Sequence, residues 1–214
     1  MNFTHKAILF EVDDNKGAIK CKLCNHYCVI KNGNLGICKV RKNVDGQLFT
    51  LSWGRSSGLA IDPVEKKPFY HFLPESRILS FGTPGCNFSC NNCQNSNLSQ
   101  SFKEIGFDNI PNEITTPEEI VITANKYKVD GIAYTYSEPT IFFEYARDVI
   151  HKSKEIQNLV LSHLFISNGF FSKEMFDVVE KEKLLDAINI DLKFMDDKRR
   201  SEEHTSELQS RQVI

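Results

Sequence analysis

From Arg77 onward the chain repeats one pattern: a short apolar run, a stretch of helical periodicity, then another short apolar run. Strands are expected over 77–82, 131–136, 160–167 and 187–192. Each is short and almost continuously apolar, as suits a strand buried on both faces. The segments between them carry helix signals. Thr116-Pro117-Glu118-Glu119 puts Thr at an N-cap, Pro in the first turn and a Glu where it reaches back to the cap. A second helix is expected from about Pro139 to Gln157, with Phe142, Tyr145, Ala146 and Val149 on one face. Ser172 is expected to cap a third, which turns Met175, Phe176, Val178 and Val179 toward the sheet. Repeated strand–helix units imply an α/β fold with a parallel sheet, open or closed into a barrel. In such sheets the chemistry sits at the carboxyl ends of the strands. Those ends carry the polar residues here: a cysteine loop, then Ser137-Glu138-Pro139, Asn168-Gly169 and Asp191-Leu192-Lys193.

The seven cysteines divide into a group of four (Cys21, Cys24, Cys28, Cys38) and a group of three (Cys86, Cys90, Cys93). An odd count suits a disulfide framework poorly, and in a reducing compartment such clusters more often bind metal. The second group has the spacing Cys-x3-Cys-x2-Cys directly after the strand-like run Arg77-Ile78-Leu79-Ser80-Phe81. Three thiolates on one loop can hold three corners of a cubane iron–sulfur cluster and leave a position open for chemistry. The plainer alternative is structural zinc with a remote fourth ligand such as His71. The first group, Cys-x2-Cys-x3-Cys-x9-Cys, supplies four thiolates. That set closes a site completely and suits either zinc or an auxiliary cluster.

Residues 1–75 read as a small cysteine-rich module, rich in Gly, Asn and Lys, in which a metal centre substitutes for a core too small to build. Residues 76–199 read as the strand–helix core, and 200–214 as a tail with neither helical stripe nor strand alternation. The composition, 41% hydrophobic and 25% charged with a formal net charge of −2, is that of a globular domain and points to neither nucleic acid nor an anionic membrane. No apolar run approaches the roughly 18–20 residues of a membrane span, and the first residues do not form a signal peptide. A cytoplasmic location is the default expectation. Lys66-Lys67-Pro68-Phe69-Tyr70-His71-Phe72 mixes basic and aromatic residues as some nucleic-acid surfaces do. A linker that packs its aromatics on the core is the preferred reading.

The three-cysteine spacing is the signature of radical S-adenosylmethionine (SAM) enzymes, and the chain resembles that superfamily. Two further stretches, 62–74 and the loop ending Cys93-Gln94-Asn95, together with the four N-terminal cysteines, resemble the radical SAM component of the AmmeMemoRadiSam system. That family is related to the activating enzymes of pyruvate formate-lyase. The resemblance runs from about residue 15 to 199. It implies a partial parallel (βα) radical SAM barrel. It also implies a [4Fe–4S] cluster on Cys86, Cys90 and Cys93, and reductive cleavage of SAM to a 5′-deoxyadenosyl radical that abstracts hydrogen. Glu138 would face the SAM ammonium, with Ser137 beside it in the second strand-end motif. Asn168 would reach the ribose or carboxylate, and Asp191 and Lys193 would bind ribose hydroxyls and a carboxylate. Reduced flavodoxin or ferredoxin would donate the electron, and a protein is the expected substrate, modified as glycyl-radical activases modify theirs.

Many relatives carry Gly-Gly-Glu-Pro where this chain has Tyr136-Ser137-Glu138-Pro139, which puts any backbone approach that needs those glycines in question. Plainer readings stand beside each position: Glu138 as a helix-terminal acid, Asn168-Gly169 as a turn, Asp191 and Lys193 as a surface pair. Two other function classes are consistent with the cysteines alone, a non-catalytic iron–sulfur electron-transfer protein and a zinc-ribbon interaction module. The string Arg200–Ser210 resembles the conceptual translation of a DNA-sequencing adapter. On that reading the native sequence stops near Arg199, the barrel is truncated to about four strands, its fourth strand is an unprotected edge, and activity is compromised.

Overall fold

A computed structural model describes residues 5–13, 17–90, 93–100, 103, 106, 113–192 and the backbone of 210–213. The N-terminal part forms two three-stranded antiparallel sheets. One has the order β1 (His5–Lys6), β6 (Gln47–Thr50), β5 (Arg41–Val44); the other has the order β2 (Phe10–Asp13), β3 (Ala18–Cys21), β4 (Val29–Ile30). The main sheet follows, with β7 (Ser57–Pro63), β8 (Arg77–Gly82), β9 (Gly131–Tyr134), β10 (Ser162–Ser167), β11 (Ala187–Leu192) and β12 (Ser210–Val213) side by side in chain order. The four central strands β8 to β11 run parallel, while β7 and β12 pair antiparallel at the two edges.

The central strands match the expected runs, with two trimmed: 131–136 ends at Tyr134 and 160–167 begins at Ser162. Two expectations about the sheet need correction. It is mixed rather than purely parallel, because the segment before β8 folds back beside it. The fourth expected strand is also not an open edge, since Asn189–Leu192 pair with Ser210–Val213, residues read from the sequence as an unstructured tail. Strand β7 lies before the boundary expected near residue 75 and yet pairs with β8.

Helices α2 (Pro117–Lys126), α3 (Phe143–Glu155) and α4 (Lys173–Glu182) cover one face; α1 is the single turn Ser96–Ser99. The start of α2 is a full capping box: Glu119 N donates to Thr116 Oγ1 at 3.2 Å, and Thr116 N donates to Glu119 Oε2 at 2.7 Å. The expected helix from Pro139 begins as a 3₁₀ turn (Pro139–Phe142) and becomes α-helical at Phe143. Ser172 caps α4 by accepting from Met175 N at 3.1 Å. Met175 and Val179 are buried as expected, but Phe176 is 43% exposed and stacks on Phe171 instead of reaching the sheet.

Period-two alternation sends Leu79, Phe81, Ile132, Tyr134 and Phe165 to the helical face, where they meet Ile120, Phe142, Tyr145 and Val149. The N-terminal residues Ile19, Leu23, Val40 and Leu48 belong to this same core. On the opposite face Ile78, Ala133, Leu164 and Ala187 pack under Val64 and Phe69. The basic-aromatic stretch 66–72 therefore covers the sheet, with Phe69 fully buried and Tyr70 exposed.

Candidate functional site

Because β8 to β11 are parallel, their carboxyl ends share one edge, and the loops leaving them meet there. Chain crowding at that edge is tight: a side chain on Gly82 would place its Cβ 2.5 Å from the Thr135 carbonyl oxygen. The Cys86 loop leaves β8 at this point. Among the described residues, which include all seven cysteines, no disulfide forms. Phe88 N donates to Cys86 Sγ at 3.4 Å, Cys93 N donates to Cys90 O at 3.3 Å, and Cys93 Sγ shares a hydrogen bond with Ser99 Oγ at 3.1 Å. Burial first, and the nearby Glu138 carboxylate second, push the Cys86 thiol well above its ordinary range.

Glu138 is 2% exposed and caps the 3₁₀ turn that follows it. Its Oε1 accepts from Thr140 N (3.0 Å), Thr140 Oγ1 (2.6 Å) and Ser167 Oγ (2.7 Å), while Oε2 accepts from Asn168 N at 2.8 Å. A carboxylate offers about four lone-pair sites, so Oε2 keeps capacity for one more donor. Burial raises the Glu138 pKa, and the bonds from Asn168, Thr140 and Ser167 pull it back. Asn168 is the connector. Its Nδ2 donates to Asn87 Oδ1 at 2.8 Å and its Oδ1 accepts from Phe170 N at 2.9 Å. A continuous bonded path thus runs from Glu138 through Asn168 to Asn87, the residue after Cys86.

The departure from Gly-Gly at 136–137 has a structural answer. Tyr136 itself takes the left-handed conformation (φ 64°) that glycine adopts freely. Its ring lies 4.7 Å from Lys67 Nζ, and that lysine is held by Asp62 at 3.0 Å. Ser137 Oγ donates to Thr83 O at 2.7 Å and ties the β9 end to the start of the cysteine loop. Asp191 is the penultimate residue of β11, two residues beyond Asn189, whose Nδ2 donates to Pro68 O at 3.2 Å, so both belong to the face covered by 64–69. Lys193 lies outside the described residues. The structure therefore brings together Cys86, Ser137, Glu138 and Asn168, with Asp191 at the same sheet edge.

The four N-terminal cysteines line one cavity, and Arg41 and Asn87 line it too. Burial pushes the Cys21 thiol up to about 11 and the Cys24 thiol up to about 12, and raises that of Cys38. Among the described residues no three His, Cys, Asp or Glu side chains stand ready to share a metal ion in this conformation. The loop carrying these cysteines docks on the main site. His26 Nε2–H donates to Asn87 O at 2.8 Å, Asn25 N to Phe170 O at 3.0 Å and Ser172 Oγ to Lys22 O at 2.6 Å. Sequence reasoning missed Asn87, His26, Arg41, Thr140 and Ser167. The first two sit inside the cysteine motifs, which is the one signal that marked them.

Residues 81–209 match the family described as the Radical SAM superfamily. The chain belongs to that superfamily. Domains of this family typically bind a [4Fe–4S] cluster and SAM. The chain is also 40% identical over 191 residues to an uncharacterized protein of Methanocaldococcus jannaschii, covering 88% of this chain and 53% of that protein. It therefore spans about half the length of the curated relative it matches. No solved structure matches it. Among the described residues no helix is long and apolar enough to cross a membrane.

Proposed function

We propose that the chain is the catalytic core of an activating-enzyme-like radical SAM enzyme, of the AmmeMemoRadiSam type, acting on a protein substrate. The observation that carries the site assignment is the bonded path Glu138–Asn168–Asn87, which locks two strand ends to the residue beside Cys86. Cys86, Cys90 and Cys93 would hold the cluster. The fit rests on the donor set, three thiols on one loop, and on one buried donor beside it. Among the described residues Thr83 Oγ1 finds no hydrogen-bond partner, and a sulfur atom would accept from it. When bound, the cluster supplies the electron that splits SAM into methionine and a 5′-deoxyadenosyl radical.

The chain's own residues then bind and orient. Glu138 Oε2 accepts one further N–H, which suits the SAM ammonium, and its carboxylate stays fixed by four donors while doing so. Asn168 is already engaged at its side chain and acts by holding Glu138 and Asn87 together, in place of the direct ribose contact expected from the resemblance. Asp191 and, beyond the described residues, Lys193 stand for ribose and carboxylate contacts. Reduced flavodoxin or ferredoxin serves as electron donor.

Electron paramagnetic resonance on the anaerobically reconstituted, reduced protein tests this, with the coding sequence downstream of Arg199 re-read beforehand. A cluster signal that changes shape on adding SAM, and that Cys86→Ala abolishes, is expected. A signal indifferent to SAM supports electron transfer instead, and a colourless zinc protein refutes the cluster.

A further inference from the structure

The group of four cysteines lies outside the matched residues 81–209, and its surroundings specify what it takes. Cys21, Cys24, Cys28 and Cys38 line a cavity of about 10 Å³, room for about one sphere the size of a water molecule. Two buried donors line the same cavity. Among the described residues neither Arg41 Nε nor Asn87 Nδ2 has a hydrogen-bond partner, although Arg41 is 1% exposed and Asn87 fully buried. An unmatched buried N–H is destabilising, and thiolate sulfurs lining the cavity are the acceptors these donors lack.

We propose that these four cysteines bind a single zinc ion, and that this ion fixes the loop that positions Asn87 beside Cys86. The thiols line the cavity without converging on one point, so binding draws them inward to a closed tetrahedral set. The mechanical consequence follows from the bonds of the same loop. Cys24 forms a β-bridge with Phe171, Asn25 bonds to Phe170 and Phe171, and His26 bonds to the Asn87 carbonyl. Fixing Cys21, Cys24 and Cys28 on one ion thereby fixes the contacts to both the β8 and β10 loops. The site does no redox chemistry, since zinc has none.

The test uses the full chain carrying Cys86→Ala, Cys90→Ala and Cys93→Ala, which removes the other thiols and makes the result independent of SAM chemistry. Elemental analysis after expression with both zinc and iron is expected to give about one zinc per chain and no sulfide. Adding Cys38→Ser to that background should lower bound zinc at least tenfold. Should that variant fail to fold, cobalt(II) titration of the parent gives the same information through the ligand-field bands of a tetrathiolate site. Iron with sulfide, no metal, or a cobalt spectrum of fewer than four thiolates overturns the assignment. In the zinc-loaded protein, chelation should speed amide exchange at Asn87–Ser89 more than tenfold while β8 is unchanged, and equal exchange in both states overturns the positioning role.

Discussion

Glu144 of α3 and Arg41 of β5 hold the N-terminal sheets to the core, and removing the carboxylate should cost more than removing the pair. Both residues are nearly inaccessible, at 2% and 1% exposed. Arg41 Nη1 donates to Glu144 Oε1 at 2.7 Å, Arg41 Nη2 donates to Oε2, and Ile8 N donates to Oε1 at 3.1 Å. Glu144→Leu strands these donors together with a buried positive charge. Stranded donors cost about 1–3 kcal/mol each, and breaking a buried pair from one side costs about 3–5 kcal/mol. We expect about 4 kcal/mol, at the middle of that range. The double variant Arg41→Met/Glu144→Leu leaves only the Ile8 N–H unpaired and should cost about 1–2 kcal/mol. The two partners are then coupled by at least 2 kcal/mol, visible in a double-mutant cycle. Urea denaturation of the full chain with chelator present measures this without any contribution from metal bound in the neighbouring cavity. A cost below about 1 kcal/mol for Glu144→Leu, or a double variant as unstable as the sum of the singles, refutes the reasoning.

The buried His163 predicts an acid limit. Ser153 Oγ donates to Ile150 O at 2.7 Å, so it accepts from His163 Nε2–H at 2.9 Å, and His163 Nδ1 accepts from the Tyr134 hydroxyl at 3.1 Å. Burial first, and Lys154 second, push this imidazole down to about 3 from 6.5. A depressed folded pKa leaves stability intact above about 6.5 and removes it as pH falls toward 3: about 2 kcal/mol by pH 5 and about 5 kcal/mol in the limit. His163→Gln should flatten that part of the stability–pH curve, and an unchanged slope counts against a neutral buried ring. Asn168→Ala removes the bond to Asn87 Oδ1 and should cost about 2 kcal/mol. Chemical denaturation reads that cost, and a loss of only a few tenths shows that the bridge carries no weight. In the reconstituted protein the same variant should weaken SAM binding about tenfold, the equivalent of 1.4 kcal/mol, while iron content is retained; unchanged affinity removes Asn168 from the site.

The parts of the fold that were legible are those whose signal is local. Arg77–Gly82 and Ala187–Leu192 are apolar runs with clear ends, and Thr116 and Ser172 are caps that use their own next turn. Strand β7 was not legible because Ser57–Pro63 has a mostly half-exposed pattern with a bulge, and only its pairing with β8 defines it. Phe176 misled for a similar reason. It falls on the helical stripe, but Phe171, brought beside it by the β10–α4 loop, offers a stacking partner at the surface. In the candidate site, spacing singled out the cysteines, and order along the strands predicted that Glu138 and Asn168 share one sheet edge, where they are bonded to each other. Nothing in the sequence says that Tyr136 can occupy a glycine's conformation, because the compensation comes from Lys67, across the sheet face from it.

Asn87 shows why the two cysteine groups are better understood as one assembly. Its side-chain oxygen accepts from Asn168, its carbonyl accepts from His26, the residue lines the N-terminal cavity, and its chain neighbour is Cys86. A residue so placed transmits a shift of either loop to the other, because packed and hydrogen-bonded groups move between discrete arrangements and do not yield gradually. The N-terminal sheets share a core with α3 and are fastened to it by Arg41–Glu144, so they cannot swing away to relieve such a shift. An N-terminal module that served only as a separate interaction domain would need none of these bonds. Their presence makes the Cys21–Cys38 loop a support under the Cys86 loop, so a change in the first group is transmitted to the second.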